Sequence, residues 1–262
     1  MSSRACIVIP CFNEAKRLDV KSFTSFFVSC PDVYFLFVND GSRDLTGVIL
    51  DDMSRAYPRQ VACLHLPCNV GKAEAVRRGF LKVFDDRQND LVGYFDADLA
   101  APLSCLLDFI SYFSDHDCEI VMGARVKLLG RQIERHLARH FLGRIFATAV
   151  SMILRLPVYD TQCGAKLFRN TQDLRNVFSR PFMTRWIFDV EILARFMAWG
   201  DFYEGKSKLE HSCIEHPLRE WVDRKGSKLK VKDFLISILD LVRILFFLRA
   251  GRNRCAEKRR DD

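Results

Sequence analysis

Short apolar runs alternate with amphipathic stretches through the first 125 residues, and this alternation constrains the fold more than any other feature of the chain. Mainly apolar runs of three to six residues suit strands, and the longer stretches between them have helical spacing, which is the order of a parallel α/β sheet. The predicted strands are 6–9, 34–38, 61–66, 91–95 and 120–122. Each is followed by small, polar or acidic residues. Ligands of open parallel sheets bind beyond the carboxyl ends of the strands, so these loops are predicted to form one site.

The pattern changes after residue 125 to long basic helices with apolar stripes, predicted at 133–156 and 231–249. We therefore expect one domain over 1–229, with two halves of different character, 1–125 and 126–229. Residues 230–262 are expected to form an amphipathic membrane-associating helix and a basic tail.

Charge and cysteine content narrow the class of partner. The net charge is +7, and the basic excess lies in 121–160 and in the last 44 residues, which suits anionic lipid or phosphorylated substrates. We expect no nucleic-acid partner. The ten cysteines are scattered without a C-x-x-C pair, which predicts a reduced cytosolic protein without a zinc site of that type.

Two aspartates follow the apolar run 91–95 with one residue between them. Asp96 and Asp98 thus emerge at a predicted strand end, where their hard oxygen atoms suit Mg²⁺ or Mn²⁺ bound jointly with a diphosphate. An isolated D-x-D is weak evidence, because it is usually a solvated turn or a helix cap. The neighbouring motifs therefore decide its meaning.

Several motifs accompany this pair in a defined order. They are Val-Ile-Pro-Cys-Phe-Asn-Glu at 8–14, Val-Asn-Asp-Gly-Ser-Arg-Asp at 38–44, Asn-Val-Gly-Lys at 69–72 and Phe-Asp-Ala-Asp-Leu at 95–99. Together they resemble the inverting GT-A glycosyltransferases of family two. The strings at 160–168, 185–191 and 226–229 resemble its dolichyl-phosphate β-glucosyltransferase branch, a relative of dolichyl-phosphate mannose synthase. The resemblance implies a GT-A fold, which is a Rossmann-like, mainly parallel twisted sheet with helices on both faces. It also implies that 1–229 is the catalytic domain, with a nucleotide-sugar-binding half (1–125) and an acceptor-binding half (126–229).

The same resemblance implies donor-binding roles. The matching positions are Pro10, Asn13 and Glu14 for the nucleoside loop, Asp40 for the base, and Lys72 near the base and ribose. Turn or cap roles for Asn13 and Asp40, and a solvated helix position for Lys72, are the alternatives. Ala73 stands where the family commonly has a second glycine.

Further positions match the diphosphate, metal and sugar. Asp96 would face the ribose and diphosphate, Asp98 would be the principal metal ligand, and Gln162 would complete the site near the metal or sugar. Positions in a loop that closes on the donor diphosphate are Arg224, Ser227 and Lys228. Asp189 and Glu191 match a pattern that faces the sugar, although favourable charges at a helix N-terminus explain them equally well.

Arginines are expected to hold the acceptor. A phosphate monoester, with a second pKa of about 6, is already anionic and needs cations rather than a general base. Arg125 and Arg139 match the acceptor-phosphate arginines of the family, and Arg135 lies one helical turn before Arg139. The alternative for the helix arginines is contact with anionic lipid.

The predicted last helix has apolar residues at helical spacing, namely Val231, Phe234, Leu235, Ile238, Leu241, Val242, Leu245 and Leu248. Ser237 and Asp240 are predicted on its polar side, and Asp240 and Arg243 interrupt any spanning segment. We expect this helix to hold the protein peripherally on the cytosolic face of a membrane. Ordinary core packing is the alternative.

The resemblance implies transfer of a sugar, glucose from UDP-glucose, with inversion onto a polyprenyl phosphate such as dolichyl phosphate. A GDP-mannose donor, or a soluble glycan or protein acceptor, are the alternatives within the family. A nucleotidyltransferase is disfavoured because residues 10–14 are not a glycine-rich triphosphate loop. A non-catalytic membrane-binding module is disfavoured because Asp96 and Asp98 are intact.

Overall fold

The computed structural model describes the backbone of residues 4–85, 89–134, 137–199, 202–203, 206–207, 209–222 and 236–250. Side chains are described for the same residues apart from 134–142, 199, 202–203 and 206–207.

A seven-stranded sheet forms the centre of the molecule, with the strand order β10-β5-β7-β4-β1-β2-β3. The strands of the described chain are β1 Ala5–Cys11, β2 Val33–Asp40, β3 Val61–Leu66, β4 Leu91–Phe95, β5 Ile120–Ala124, β6 Gln132–Glu134, β7 Ala165–Arg169, β8 Phe202–Tyr203, β9 Lys206–Ser207, β10 Cys213–Pro217 and β11 Glu220–Val222. Pairing in the large sheet is parallel except at β7, which runs antiparallel to β4 and β5. The mainly parallel sheet that the sequence predicts is thereby confirmed.

Helices cover both faces of this sheet. They are α1 Val20–Ser29, α2 Thr46–Ala56, α3 Lys72–Asp85, α4 Cys105–Asp115, α5 Leu137–Leu154, α6 Gln172–Ser179, α7 Phe188–Trp199 and α8 Leu209–Ser212. A last described helix comprises residues 236–250. Two hydrophobic clusters result, one with α1, α2 and α4, and the other with α3, α5, α6, α7 and helix 236–250.

Alternate residues of the strands contribute to opposite clusters. In β1, Ile7 and Ile9 belong to one cluster and Cys6 and Val8 to the other. Successive strand side chains point to opposite faces, so a strand covered on both sides needs a continuous apolar run. This requirement explains why all five strands predicted from short apolar runs are present in the structure.

The first of the two predicted long helices begins later than the sequence pattern indicates. Residues 132–134 form β6, which pairs with β11, and α5 starts only at Leu137. The pairing is anchored where Gln132 N–H donates to the carbonyl of Arg219 at 2.9 Å and Ile133 is buried. A long-range strand partner thus overrides the local helical pattern here.

Helix 236–250 turns a different face to the protein from the one predicted. Ser237 and Asp240, predicted on its polar side, are buried, and Leu241, Ile244 and Leu248 belong to the core cluster of α5 and α7. The prediction that Leu241 and Leu248 form a membrane-facing side is therefore wrong, because these residues pack on the catalytic domain. The start of the predicted helix and the boundary at residue 229 lie outside the described residues.

None of the helices in the described parts of the chain combines the length and the apolar character needed to cross a bilayer.

Candidate active site

The loops after β1, β2 and β3 enclose a cleft of about 420 Å³ at the carboxyl edge of the sheet. We call it the nucleoside cleft, and it is lined by Phe12, Asn13, Asn39, Gly41, Ser42, Arg43, Leu66, Pro67, Cys68 and Asn69. The predicted convergence of the first three strand ends is therefore present. Pro10 lies within β1 opposite Val38 and does not line the cleft.

Neutral hydrogen bonds hold two walls of the nucleoside cleft together. Asn13 has a left-handed backbone (φ 55°), and its N–H donates to the hydroxyl of Ser42 at 3.0 Å. In return Arg43 N–H donates to Oδ1 of Asn13 at 2.9 Å, and Ser42 N–H donates to Oδ1 of Asn39 at 3.1 Å. The uncommon conformation of Asn13 is thus stabilised by bonds to the neighbouring loop.

Glu14 and Asp40 hold the loops around the cleft in place through hydrogen bonds and an ion pair. Arg17 forms a two-bond ion pair with the Glu14 carboxylate, while Glu14 N–H donates to the hydroxyl of Thr46 at 2.8 Å. The carboxylate of Asp40 accepts from Val70 N–H at 2.7 Å, from Gly71 N–H at 2.9 Å and from the side chain of Asn69. Asp40 is only 2% exposed, so its observed role is to shape the 69–71 loop. A direct contact with a base stays a prediction.

The paired aspartates lie beside the nucleoside cleft, immediately after β4. Lys72, the first residue of α3, places its Nζ 2.5 Å from Oδ1 of Asp96. Lys72 thus lies against the carboxylate predicted to face the ribose and diphosphate, and its predicted position near the base and ribose stays a prediction. Burial alone lowers the pKa of Lys72, but Asp96, Asp189 and Asp98 outweigh burial and raise that pKa.

Asp98 is held in a tight turn close to a second negative charge. Its Oδ1 accepts from Ala100 N–H at 3.1 Å, and Leu99 between them has a left-handed backbone (φ 50°). Burial, and then the Asp96 carboxylate, raise the pKa of Asp98. A cation bound here would relieve the repulsion between the two carboxylates.

Gly164 lies against Asp96 and fixes its position. Asp96 N–H donates to the carbonyl of Gly164 at 2.9 Å, and a Cβ on Gly164 would overlap the Asp96 carboxylate. The segment 160–164 therefore reaches the paired aspartates, as its family-like sequence suggests. Within it, the side-chain nitrogen of Gln162 and the hydroxyl of Thr161 are buried without a hydrogen-bond partner in the described chain. These polar atoms are candidates to face a ligand.

Asp189 is a buried carboxylate at the start of α7, held by a lysine and a tyrosine. Lys166 Nζ lies 2.5 Å from Oδ1 of Asp189 and donates to the carbonyl of Cys163 at 2.6 Å. The Tyr94 hydroxyl donates to the same Oδ1. We call Lys72, Tyr94, Asp96, Asp98, Lys166 and Asp189 the charged cluster. Sequence reasoning missed Lys166 and Tyr94, although a lysine inside an apolar strand indicates a buried acidic partner.

Glu191 does not share the environment of Asp189. Its carboxylate is fully buried, accepts from Met183 N–H and Thr184 N–H, and is paired with Arg195 at 2.7 Å. The prediction that Glu191 faces the sugar is therefore wrong, because the side chain fixes the loop before α7.

Arg125 is engaged in a second buried network. Its Nε and Nη2 donate to the two oxygens of Asp160 at 2.6 and 2.7 Å. Asp160 N–H in turn donates to Glu215 at 2.8 Å, and the guanidinium lies 4.9 Å from the ring centre of Trp221. Burial alone lowers the pKa of Arg125, but Asp160 outweighs it and raises that pKa. An acceptor phosphate would contact the N–H groups of the Arg125 guanidinium that are not bonded to Asp160.

Other predicted positions are not tested by this geometry. Arg135, Arg224, Ser227 and Lys228 lie outside the described residues, and Arg139 lies in α5 without a described side chain. The guanidinium of Arg185, not predicted from the sequence as a site residue, approaches Gly71, since a Cβ there would lie 3.3 Å from Arg185 Nη2.

Comparisons with a protein-family model and with known proteins all match glycosyltransferases. The model described as "Glycosyl transferase family 2" matches residues 6–176. A dolichyl-phosphate beta-glucosyltransferase of Trichomonas vaginalis is 30% identical over 257 residues, covering 93% of this chain and 71% of the relative. The mouse dolichyl-phosphate beta-glucosyltransferase is 30% identical over 242 residues, covering 85% of this chain and 68% of the relative.

Solved structures show the same fold. Glucosyl-3-phosphoglycerate synthase from Mycobacterium tuberculosis, in complex with UDP, superposes with a TM-score of 0.64 at 14% identity, over 94% of this chain and 80% of that one. A mannosyltransferase from Pyrobaculum calidifontis, in complex with GDP-Man and Mn²⁺, gives a TM-score of 0.60 at 15% identity, over 96% of this chain and 65% of that one.

Proposed function

This chain belongs to glycosyl transferase family 2 and is a glycosyltransferase, and on that premise we propose that it transfers glucose from UDP-glucose, with inversion, to a dolichyl-type polyprenyl phosphate. The observation that carries the proposal is the charged cluster at the end of β4. There two carboxylates and the ammonium of Lys72 adjoin a cleft sized for a nucleoside.

Asp96 and Asp98 suit a divalent cation. Both side chains offer hard oxygen atoms, and they are close enough for Asp96 to raise the pKa of Asp98. The Asp96 carboxylate fits beside residue 164 only because glycine lacks a Cβ. We assign Mg²⁺ or Mn²⁺ to these two residues, with Gln162 as a further ligand. When bound, the ion supplies positive charge that stabilises the leaving diphosphate.

The chain's own residues position the donor for in-line displacement at the anomeric carbon. The nucleoside cleft holds the base and ribose. With a cation held by Asp96, Lys72 would be available to contact the diphosphate. Asp189, held in place by Lys166 and Tyr94, accepts hydrogen bonds from hydroxyl groups of the sugar. The fixed positions of these groups limit the reorganisation required in the transition state.

The acceptor attacks through an oxygen of its phosphate. Because that oxygen is already anionic, no residue has to remove a proton from it, and the site needs cations instead. We assign Arg125, Arg135 and Arg139 to this role, and Arg224, Ser227 and Lys228 to closure over the donor diphosphate. Arg144 of α5, which donates to the carbonyl of Tyr159 at 3.2 Å, links this helix to the segment that reaches Asp96.

The donor is proposed from the curated relatives, which are named as glucosyltransferases. Solved neighbours contain UDP-glucose with Mn²⁺ in one case and GDP-Man with Mn²⁺ in another, so fold alone does not choose between them. The test is donor competition with a short-chain polyprenyl phosphate and Mg²⁺ or Mn²⁺. We expect UDP-glucose to be consumed with release of UDP. A clear preference for GDP-mannose would contradict the assigned sugar, and turnover only with soluble glycans would contradict the acceptor.

We also propose peripheral attachment to the cytosolic face of a membrane through α5 and helix 236–250. Met152 of α5 is 69% exposed and Phe246 of the last helix is 61% exposed, both on the outer surface of these helices. The helices meet at a groove of about 360 Å³ that also contains Arg155 and Arg249. An apolar surface with cations beside it suits an interface with anionic lipid.

Vesicle sedimentation tests the membrane proposal with a matched pair of variants. Phe246→Glu should reduce co-sedimentation with anionic vesicles. Val28→Glu, at a more exposed site (75%) on α1 across the sheet, should leave it unchanged. Equal losses in both variants would show that the outer surface of helix 236–250 is not the membrane contact.

A further inference from the structure

Three side chains of metal-binding type lie together at the β3 edge of the sheet, three strands away from β4 and the charged cluster. Cys63 and His65 are two residues apart on β3, so both side chains leave the same face of this edge strand. Asp51 of α2 lies over that face, with His65 Nε2 2.9 Å from its Oδ1. One ligand atom from each of the three lies within 4.8 Å of the others.

The donor set has the chemistry of a zinc ligand group. Sulfur, imidazole nitrogen and carboxylate oxygen are the protein ligands that Zn²⁺ takes in tetrahedral sites, with water able to fill the fourth position. Asp51 and His65 are about half exposed, so an ion can reach them. The Cys63 thiol, which now donates to the carbonyl of Leu50 at 3.1 Å, would release its proton to solvent on coordination. We propose that Asp51, Cys63 and His65 bind Zn²⁺ and that this site weakens nucleotide binding in the nucleoside cleft.

Hydrogen bonds connect the proposed zinc site to that cleft. The other ring nitrogen of His65, Nδ1, lies 3.0 Å from Nδ2 of Asn39, whose Oδ1 accepts from Ser42 N–H at 3.1 Å. Because the Asn39 amide group donates through Nδ2, His65 Nδ1 accepts, and the ring proton is on Nε2 facing Asp51. Asn39 is buried, so its amide has little water to bond instead.

Zinc bound at Nε2 of His65 changes Nδ1, at the other side of the ring, from a hydrogen-bond acceptor into a donor. A neutral imidazole that binds metal through Nε2 carries its proton on Nδ1, which then points a second donor at Asn39 Nδ2. Rotation of the Asn39 amide relieves this conflict but withdraws Oδ1 from Ser42 N–H. Ser42 lines the nucleoside cleft and also accepts from Asn13 N–H, so the cleft wall loosens.

The expected coupling is reciprocal. Allosteric coupling typically changes affinity by about 5-fold to 150-fold, and for one displaced hydrogen bond we expect about tenfold. Zinc should therefore weaken UDP binding by about tenfold, and UDP should weaken zinc binding by the same factor. This part of the inference rests on the proposed nucleoside role of the cleft, whereas the metal site does not.

Cobalt spectroscopy tests the metal site alone. Co²⁺ added to the full chain without nucleotide should give the absorption of a thiolate-to-cobalt bond, which Asp96 and Asp98 lack the sulfur to produce. Cys63→Ser and His65→Gln should each lose the band, while Cys30→Ser, another partly buried cysteine, should keep it. Retention of the band in Cys63→Ser would overturn the site.

Calorimetry with UDP, at saturating Mg²⁺ to fill the catalytic site, tests the coupling. Zinc should raise the Kd for UDP about tenfold in the wild type but not in Cys63→Ser, which keeps the contact between His65 and Asn39. In Asn39→Asp the carboxylate can accept both from His65 and from Ser42 N–H, so zinc should no longer weaken UDP binding in this variant. Equal weakening in wild type and Cys63→Ser would overturn the coupling. Absence of UDP binding without zinc would overturn it together with the proposed donor, and the cobalt spectrum would still decide the metal site.

Discussion

The nucleoside cleft and the charged cluster lie side by side at one edge of the sheet, but different forces hold them. In the cleft, neutral amides and hydroxyl groups bond to one another, and the buried carboxylate of Asp40 accepts hydrogen bonds from backbone N–H groups. In the charged cluster, opposite charges face one another, as Lys72 faces Asp96 and Lys166 faces Asp189, each at 2.5 Å.

This difference indicates a division of labour. Backbone donors shape the cleft without net charge, so its form depends little on what is bound. The charged cluster depends on a balance of charges, since burial, and then the neighbouring Asp96 carboxylate, raise the pKa of Asp98. A cation or a diphosphate therefore changes the cluster far more than a nucleoside changes the cleft.

Removing an oxygen ligand from the charged cluster should have the largest effect. We expect Asp98→Ala to lower kcat/KM by about 10³-fold, or roughly 4 kcal/mol of transition-state stabilisation, with the fold preserved. Steady-state kinetics at saturating Mg²⁺ and thermal melting measure both quantities. Asp52→Ala, at an exposed acid paired with Arg55, should stay close to wild type. Full turnover of the Asp98 variant, or of the wild type in excess EDTA, would exclude the metal role.

Breaking the buried pair behind Asp189 should be nearly as severe, but as a loss of stability. Lys166→Met leaves a buried carboxylate without its cation and should lower the free energy of unfolding by about 3–5 kcal/mol. Adding Asp189→Asn should recover part of that loss while activity stays low. Urea denaturation provides the measurement, and Lys82→Met on the exposed side of α3 provides the control. A stable Lys166→Met variant would mean that Tyr94 alone suffices to hold Asp189.

A change in the cleft should be milder. Asp40→Ala removes the acceptor of the Val70 and Gly71 N–H groups and should cost about 2 kcal/mol of stability. Because the 69–71 loop leads into Lys72, the KM for donor should rise more than kcat falls. Asp40→Asn keeps one acceptor oxygen and should lie between this variant and the wild type. Larger effects here than in Asp98→Ala would reverse the proposed division of labour.

The smallest expected effect is a gain in stability. The folded-state pKa of Asp98 is raised, so ionised Asp98 disfavours the folded state above that pKa. Asp98→Asn should therefore be slightly more stable than wild type at neutral pH. The advantage should shrink as the pH falls below the raised pKa and vanish below the ordinary pKa of an aspartate, where wild-type Asp98 is protonated in both the folded and the unfolded state. Melting temperatures across this pH range test the sign, and a constant difference at all pH values would contradict it.

Much of the fold and part of the site followed from local sequence. The strands are short apolar runs covered on both faces, and Asp96 and Asp98 follow β4 directly, so periodicity and turn chemistry sufficed to place them. The contacts of Asp96 and Asp189 did not follow in this way. Lys166 and Asp189 are 23 residues apart, and Arg125 and Asp160 are 35 apart, so only packing shows that these residues meet.

Helix 236–250 shows most clearly what the local sequence determines and what depends on tertiary packing. The sequence determined that an apolar helix forms here, and its spacing suggested one buried side. Apolar residues nevertheless occur all around this helix, with Leu241 and Ile244 inward and Leu239 and Phe246 outward. Periodicity alone assigns no side to such a helix. The inward side was decided by the core of α5 and α7, because burying Leu241, Ile244 and Leu248 there removes their surface from water, and Asp240 is accommodated through its pair with Arg243.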